Sequence, residues 1–176
     1  MKQWTQALLL GAGLSLAASA AQAKQVVCVF DLVGKNGDVY NLMQDYQLAA
    51  KNWGAEIELR VGQNEGVIAE DFKAGKCDGI SVTGMRGRQF NHFTGSLDAI
   101  GAIPDLKLAV KVMQGLASPA FAKYMRNGQY EVAGVIPVGD AFLMVNDRSI
   151  NSVAKAAGKK IAVLDYDQAQ KIMVQQ

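Results

Sequence analysis

The chain has one histidine and two cysteines among 176 residues, and a formal charge of only +2. A single histidine, His92, and two cysteines without ligand spacing leave no zinc site. The sequence has no Gly-x-Ser-x-Gly elbow, no phosphate-cradling Walker loop, and no Cys–His or His-x-x-x-His pair. Paired carboxylates such as Glu70-Asp71 fall on one exposed helical stretch, where solvation is the usual role. These absences point away from an enzyme, and no cofactor is expected. A nearly neutral chain with dispersed Lys and Arg lacks the basic footprint of a nucleic-acid binder. Half of the residues are hydrophobic, so disorder is excluded too. No internal repeat or low-complexity linker follows residue 23.

What the chain does have begins with an export signal. Met1-Lys2 forms a small positive start, residues 7–21 are apolar or small, and Ala21-Gln22-Ala23 fits a cleavage site. The apolar run is shorter than the ~20 residues of a spanning helix. No stop-transfer charges follow it, and no cysteine stands at the cleavage point to take a lipid. Residues 1–23 therefore read as a signal peptide cut after Ala23. The mature chain is expected in the periplasm, not spanning the membrane.

The mature chain alternates strands and helices. Residues 26–30 form a continuous apolar run, as in a strand covered on both faces. Asp38 is placed to cap a helix. Val39, Leu42, Met43, Tyr46, Ala50 and Trp53 then repeat at helical spacing, and Gly54 stops it. Ala55, Ile57, Leu59 and Val61 alternate with polar residues, marking an edge strand. Asn64 caps a second helix running to Ala74 and ended by Gly75, and residues 80–83 form a third strand. Three β-then-α units predict a parallel sheet with right-handed crossovers. A third helix follows Gly84, and Leu106, Ala109, Val110, Met113, Leu116 and Ala117 make a further helical stripe. Pro119 restarts a helix that Asn127-Gly128 stops, and residues 130–137 and 142–145 read as strands. By period, Met43, Trp53, Phe72, Met113 and Phe121 belong to the core.

The last stretch changes character. A polar break, Asn146-Asp147-Arg148-Ser149, precedes a short helix, then Gly158-Lys159-Lys160 and an apolar strand at 161–164. Asp165-Tyr166-Asp167 then opens another helix. Residues 24–140 read as a first α/β lobe, and 141–176 as a crossover with the incomplete start of a second α/β lobe. The sequence thus reads as C-terminally truncated.

Cys28 on the first strand and Cys77 before the third leave two readings open. They either bond across adjacent strands or remain two buried thiols. A bond would stabilise by roughly 4 kcal/mol on the chain-entropy account.

The element Gly75-Lys76-Cys77-Asp78-Gly79, after strand–helix–strand–helix, resembles the first lobe of type II periplasmic solute-binding proteins. Residues 130–139 (YEVAGVIPVG), Asn146-Asp147-Arg148-Ser149-Ile150, Ser152-Val153 and residues 157–162 (AGKKIA) resemble binding proteins of TRAP-type tripartite transporters. The whole mature chain is also similar to a group of uncharacterised solute-binding proteins. The resemblance implies a periplasmic-binding-protein-like fold, a small-molecule solute and a membrane permease as partner. It also implies that the ligand-pairing arginine of the second lobe lies beyond Gln176. Ala154-Lys155 stands where that family has an Asp-Leu pair.

Ligands of open α/β sheets sit at the carboxyl ends of the strands. Three loops qualify, after residues 30, 61 and 82. Thr83 and Gly84 open the last of them, and Arg86 and Arg88 flank Gly87 at a helix start suited to a carboxylate or phosphate. Lys35 and Asn36 offer polar groups in a Gly-flanked loop. Asp31 either pairs with one of these arginines or caps its own loop. Gly139, Asp140 and Asn146 are hinge candidates. The reading is a periplasmic receptor for a small anionic organic solute. An envelope interaction protein of the same fold, or a fragment without independent function, are the alternatives.

Overall fold

The computed structural model describes residues 24–99, 101–139, 143–163 and 168–175. The expected signal peptide with its cleavage point, the hinge candidate Asp140, and the predicted helix opening at 165–167 lie outside the described residues. Among the described residues, no helix is long and apolar enough to cross a membrane.

The sheet is built from three parallel strands: β1 (Gln25–Phe30), β2 (Ile57–Gly62) and β3 (Gly79–Ser81), in the order β2-β1-β3. Alternation along β1 assigns the faces. Val26, Cys28 and Phe30 pack with Ile68, Phe72, Cys77, Ile80 and Val82, while Val29 is fully buried. Helix α1 (Asp38–Lys51) links β1 to β2, and α2 (Glu65–Lys73) links β2 to β3. Asn64 caps α2 by accepting from the Val67 N–H at 3.1 Å, and Gly75 ends the turn after it at φ +73. The Gly75–Gly79 element has a physical reason: the Asp78 carboxylate accepts from Val26 N at 2.7 Å, and Asp78 N donates to Val26 O at 2.7 Å. Cys28 and Cys77 are bonded, with Cα atoms 5.9 Å apart. The bonded reading of the two cysteines is therefore the one found.

Beyond β3 the chain departs from expectation. The predicted third helix is two single turns, α3 (Gly84–Gly87) and α4 (His92–Gly95). The break falls at buried Asn91, whose Oδ1 accepts from Thr94 N while Nδ2 donates to Tyr124 O at 2.9 Å. Asp105 caps α5 (Leu106–Leu116). Pro119 opens a single 3-10 turn, not a longer helix. Asn127-Gly128 is part of a hairpin joining β4 (Arg126–Asn127) to β5 (Tyr130–Glu131), with Gly128 at φ +58 in its two-residue loop. The strand expected over 130–137 is only these two residues long; Val132 N still donates to Met125 O at 2.8 Å, and 133–137 carry no strand. Residues 143–145 and 161–163 likewise form no strand. Phe142 and Leu164, the other ends of those runs, lie outside the described residues. Two short helices, α6 (Val153–Ala156) and α7 (Gln168–Gln175), occupy the last stretch.

The core stripe on α1 also needs correction. Half-buried Val39, Met43 and Gln47, with buried Ala50, face the sheet, and Gln47 Nε2 donates to Ile57 O at 2.7 Å. That rotation leaves Leu42 and Tyr46 outside. Trp53 lies past the helix end and is 87% exposed. Phe121 is likewise exposed, stacked in a trio with Phe93 and Tyr124. Phe72, Met43 and Met113 are half-buried. Phe72 meets Phe90 and Tyr130 edge to face or tilted, with ring centres 4.9–5.5 Å apart within the trio.

Candidate functional site

The carboxyl ends of the three parallel strands converge on one edge, and side chains tie their loops together. After β1, Asp31 turns inward, and its carboxylate accepts from Val33 N at 2.9 Å and from Tyr40 N at 3.0 Å. Tyr40 is in the first turn of α1, so Asp31 does the capping expected of Asp38, which is the first helical residue. The Tyr40 and Val33 N–H groups hold the Asp31 carboxyl below its ordinary value, against desolvation. Gly37 lies against that carboxylate, where any Cβ would collide with it. Of the two roles expected for Asp31, the structure gives it the loop cap. Lys35 and Asn36 sit exposed on the 3-10 turn Gly34–Asn36.

The loop after β2 is tied to this one. Asp31 N donates to Gly62 O at 3.1 Å, and Gln63 Nε2 donates to Leu32 O at 2.8 Å. Glu65 opens α2 and is 4% exposed. Its Oε1 accepts from Thr83 N, joining the second loop to the third, and its Oε2 lies 3.8 Å from Arg86 Nε. Thr83 accepts from Arg86 N at 3.3 Å and so caps α3. The Arg86 side chain keeps 21% of its surface exposed, and Nη2 lies 3.7 Å from where a Cβ on Gly66 would be. A half-buried guanidinium thus stands beside the first turn of α2 with a buried carboxylate behind it. A carboxylate or phosphate arriving at this edge would meet a fork already oriented by Glu65.

Arg88 is placed differently. Its Nε donates to Gly95 O at 2.9 Å, and a Cβ on Gly95 would collide with its side chain. It joins α3 to α4. Gly84 sits against the Asp98 carboxylate. Thr83, Gly84 and Arg86 are therefore neighbours on one short segment, while Asp31, Lys35 and Asn36 belong to the adjoining loop. Gly139 has φ +135, and Asn146 is exposed at a bend. A separate groove of about 350 Å³ runs along β2 and α2 and includes Gln63 and Asn64 in its lining, but neither arginine. Among the described residues, no group of three or more His, Cys, Asp or Glu is placed to hold a metal.

The residue that sequence reasoning passed over is Glu65. It fell inside a loop named as qualifying, at the first position of a helix, where an acidic residue is ordinary. Its link to Thr83 and Arg86 spans 18 residues and more, beyond any periodic signal.

Residues 47–176 match the family model described as Solute-binding protein AdeT 1/2. The chain belongs to the AdeT1/2 solute-binding protein family. It is similar to a curated protein of Acinetobacter baumannii named "Probable solute-binding protein AdeT1", with 55% identity over 147 residues, 84% of this chain and 48% of that protein. It is also similar to "Probable solute-binding protein AdeT2" of the same organism, 36% identical over 80 residues, 46% of this chain and 34% of that protein. The chain thus spans about half the length of the first of these relatives or less. No solved structure matches it. The α/β unit with its small parallel sheet is compatible with a lobe of a binding protein, the role that the family's description names.

Proposed function

We propose that this chain carries the first lobe of a type II, TRAP-like periplasmic solute-binding protein. Its ligand is a small anionic organic solute held at the carboxyl edge of the sheet. Arg86 supplies the charge, Thr83 and Gly84 shape the turn beside it, and Lys35, Asn36 and the loop capped by Asp31 form the opposite wall. Arg88 contributes by fixing α3 against α4. Gly139, Asp140 and Asn146 are the hinge toward a second lobe, which closes over the solute and presents it to a membrane permease. The observation that supports this reading most is the half-buried Arg86 guanidinium, oriented by Glu65 at the edge where all three loops meet. A thermal-shift screen against small mono- and dicarboxylates tests it. Stabilisation by carboxylates, lost in Arg86→Gln, is expected; stabilisation only by uncharged or cationic compounds contradicts it.

The exposed apolar row Leu42, Tyr46 and Trp53 favours a second reading, an envelope interaction protein of the same fold. Under that reading no small solute shifts the melting temperature, and an L42S/Y46S variant loses association with its partner.

A further inference from the structure

β2 is an edge strand: β1 pairs with one side of it, and among the described residues no strand lies on the other. The ladder fixes which backbone groups face out. Gln25 N donates to Glu56 O at 2.8 Å and Asp31 N to Gly62 O at 3.1 Å, so the even-numbered residues of this strand turn their backbone groups to β1. Ile57, Leu59 and Val61 turn theirs outward, where Gln47 Nε2 reaches Ile57 O at 2.7 Å. Proline, bulges and lysines blunt many such edges. β2 carries none of them: its run Ile57–Gly62 (IELRVG) pairs with β1 residue for residue. Its two charges, Glu58 and Arg60, are of opposite sign and flank Leu59 symmetrically.

We propose that β2 pairs antiparallel with β2 of a second copy of this chain, on a two-fold axis at Leu59. Leu59 exchanges N–H···O bonds with Leu59 of the second copy. Ile57 and Val61 do the same with the copy's Val61 and Ile57, the Ile57 carbonyl using the lone pair that Gln47 leaves. Glu58 then stands opposite the copy's Arg60, and Arg60 opposite its Glu58, in the non-hydrogen-bonded pairs where side chains come closest. Within one chain Glu58 Oε1 already holds Arg60 Nε at 2.8 Å, and Arg60 Nη1 donates to Lys76 O at 3.4 Å. A guanidinium has further N–H donors, so the fork can take a second carboxylate. The assembled pairs close a neutral ring of alternating carboxylates and guanidinia. Moving the axis one residue either way sets Glu58 against Glu58 or Arg60 against Arg60, so charge selects the register. An interface this short makes a weak, concentration-dependent dimer. It leaves Arg86 and the solute edge untouched and does not rest on the solute-binding reading.

The test follows the folded, oxidised chain by analytical ultracentrifugation and amide hydrogen exchange over a dilution series. The expected result is a monomer–dimer equilibrium in which the Leu59 and Val61 amides gain protection with concentration. The Glu58 and Arg60 amides, bonded to β1, should keep theirs throughout. Glu58→Arg and Arg60→Glu should each weaken self-association roughly tenfold. An equimolar mixture of those two variants should associate as a heterodimer, and the double exchange E58R/R60E should associate with itself. A monomer at the highest soluble concentration overturns the proposal, as does a dimer whose Leu59 and Val61 amides exchange at the monomer rate. A mixture of the single variants that fails to associate overturns the charge-selected register. The exchange measurement uses the unaltered chain, so it decides even if a variant folds poorly.

Discussion

Asp31 illustrates how one side chain organises a loop that sequence patterns leave open. Its carboxylate bonds to the Tyr40 and Val33 N–H groups lower its folded pKa below the ordinary 3.8. A lowered folded pKa means that the stabilisation is complete above the ordinary Asp value and is lost as pH falls through the folded one. Wild type should therefore melt above Asp31→Asn at neutral pH, and the gap should close on acidification below about pH 4. A gap that is constant with pH contradicts the assignment. Asn64 is simpler: Asn64→Ala removes the cap on Val67 N and should destabilise by about 1 kcal/mol in urea titration, with Asn64→Gly nearer neutral. Glu65→Ala strips a buried acceptor from Thr83 N and Arg86, and should destabilise by roughly 2–3 kcal/mol.

At the scale of elements, β1, α1, β2, α2 and β3 were legible because each carries a local signal: an apolar run, a period, a cap or a terminal glycine. The rotation of α1 was not. Leu42, Tyr46 and Trp53 satisfy the helical period as well as Met43, Gln47 and Ala50 do, and it is the second set that faces the sheet, with Gln47 bonded to Ile57 O. Likewise the apolar runs at 130–137 and 143–145 read as strands, yet an apolar run becomes a strand only beside a partner edge. The break at Asn91 was equally hidden, because its carboxamide answers to Tyr124, 33 residues on. Of the candidate site, the three loops and Arg86 were visible from strand–loop order. The loop-capping role of Asp31 was one of two that its position left open, and that of Arg88 was hidden, because Gly95 O, seven residues on, claims its guanidinium. The disulfide fastens β1 to the segment leading into β3. Replacing both cysteines, C28S/C77S, should destabilise by about 4 kcal/mol on the chain-entropy account, read as a lowered denaturation midpoint. A loss under 1 kcal/mol would mean that the sheet holds this segment without it.

For the whole molecule, order and packing are unevenly distributed. The sheet, α1 and α2 share a buried core around Cys28, Val29, Ile68 and Ala69. Residues 143–149 and 151–155 are exposed throughout, and their one helix is four residues long. Amide exchange should be slowest in β1 and fastest over 143–163; equal protection across both would contradict this division. The central claim is that a small anionic solute binds at the carboxyl edge of the sheet, and amide chemical-shift mapping tests it most directly. Titration of isotope-labelled protein with a small dicarboxylate should move the amides of residues 32–37, 63–66 and 83–88 together, and Arg86→Gln should abolish those shifts. Shifts confined to the groove along β2 and α2, or unchanged in the variant, would contradict the account.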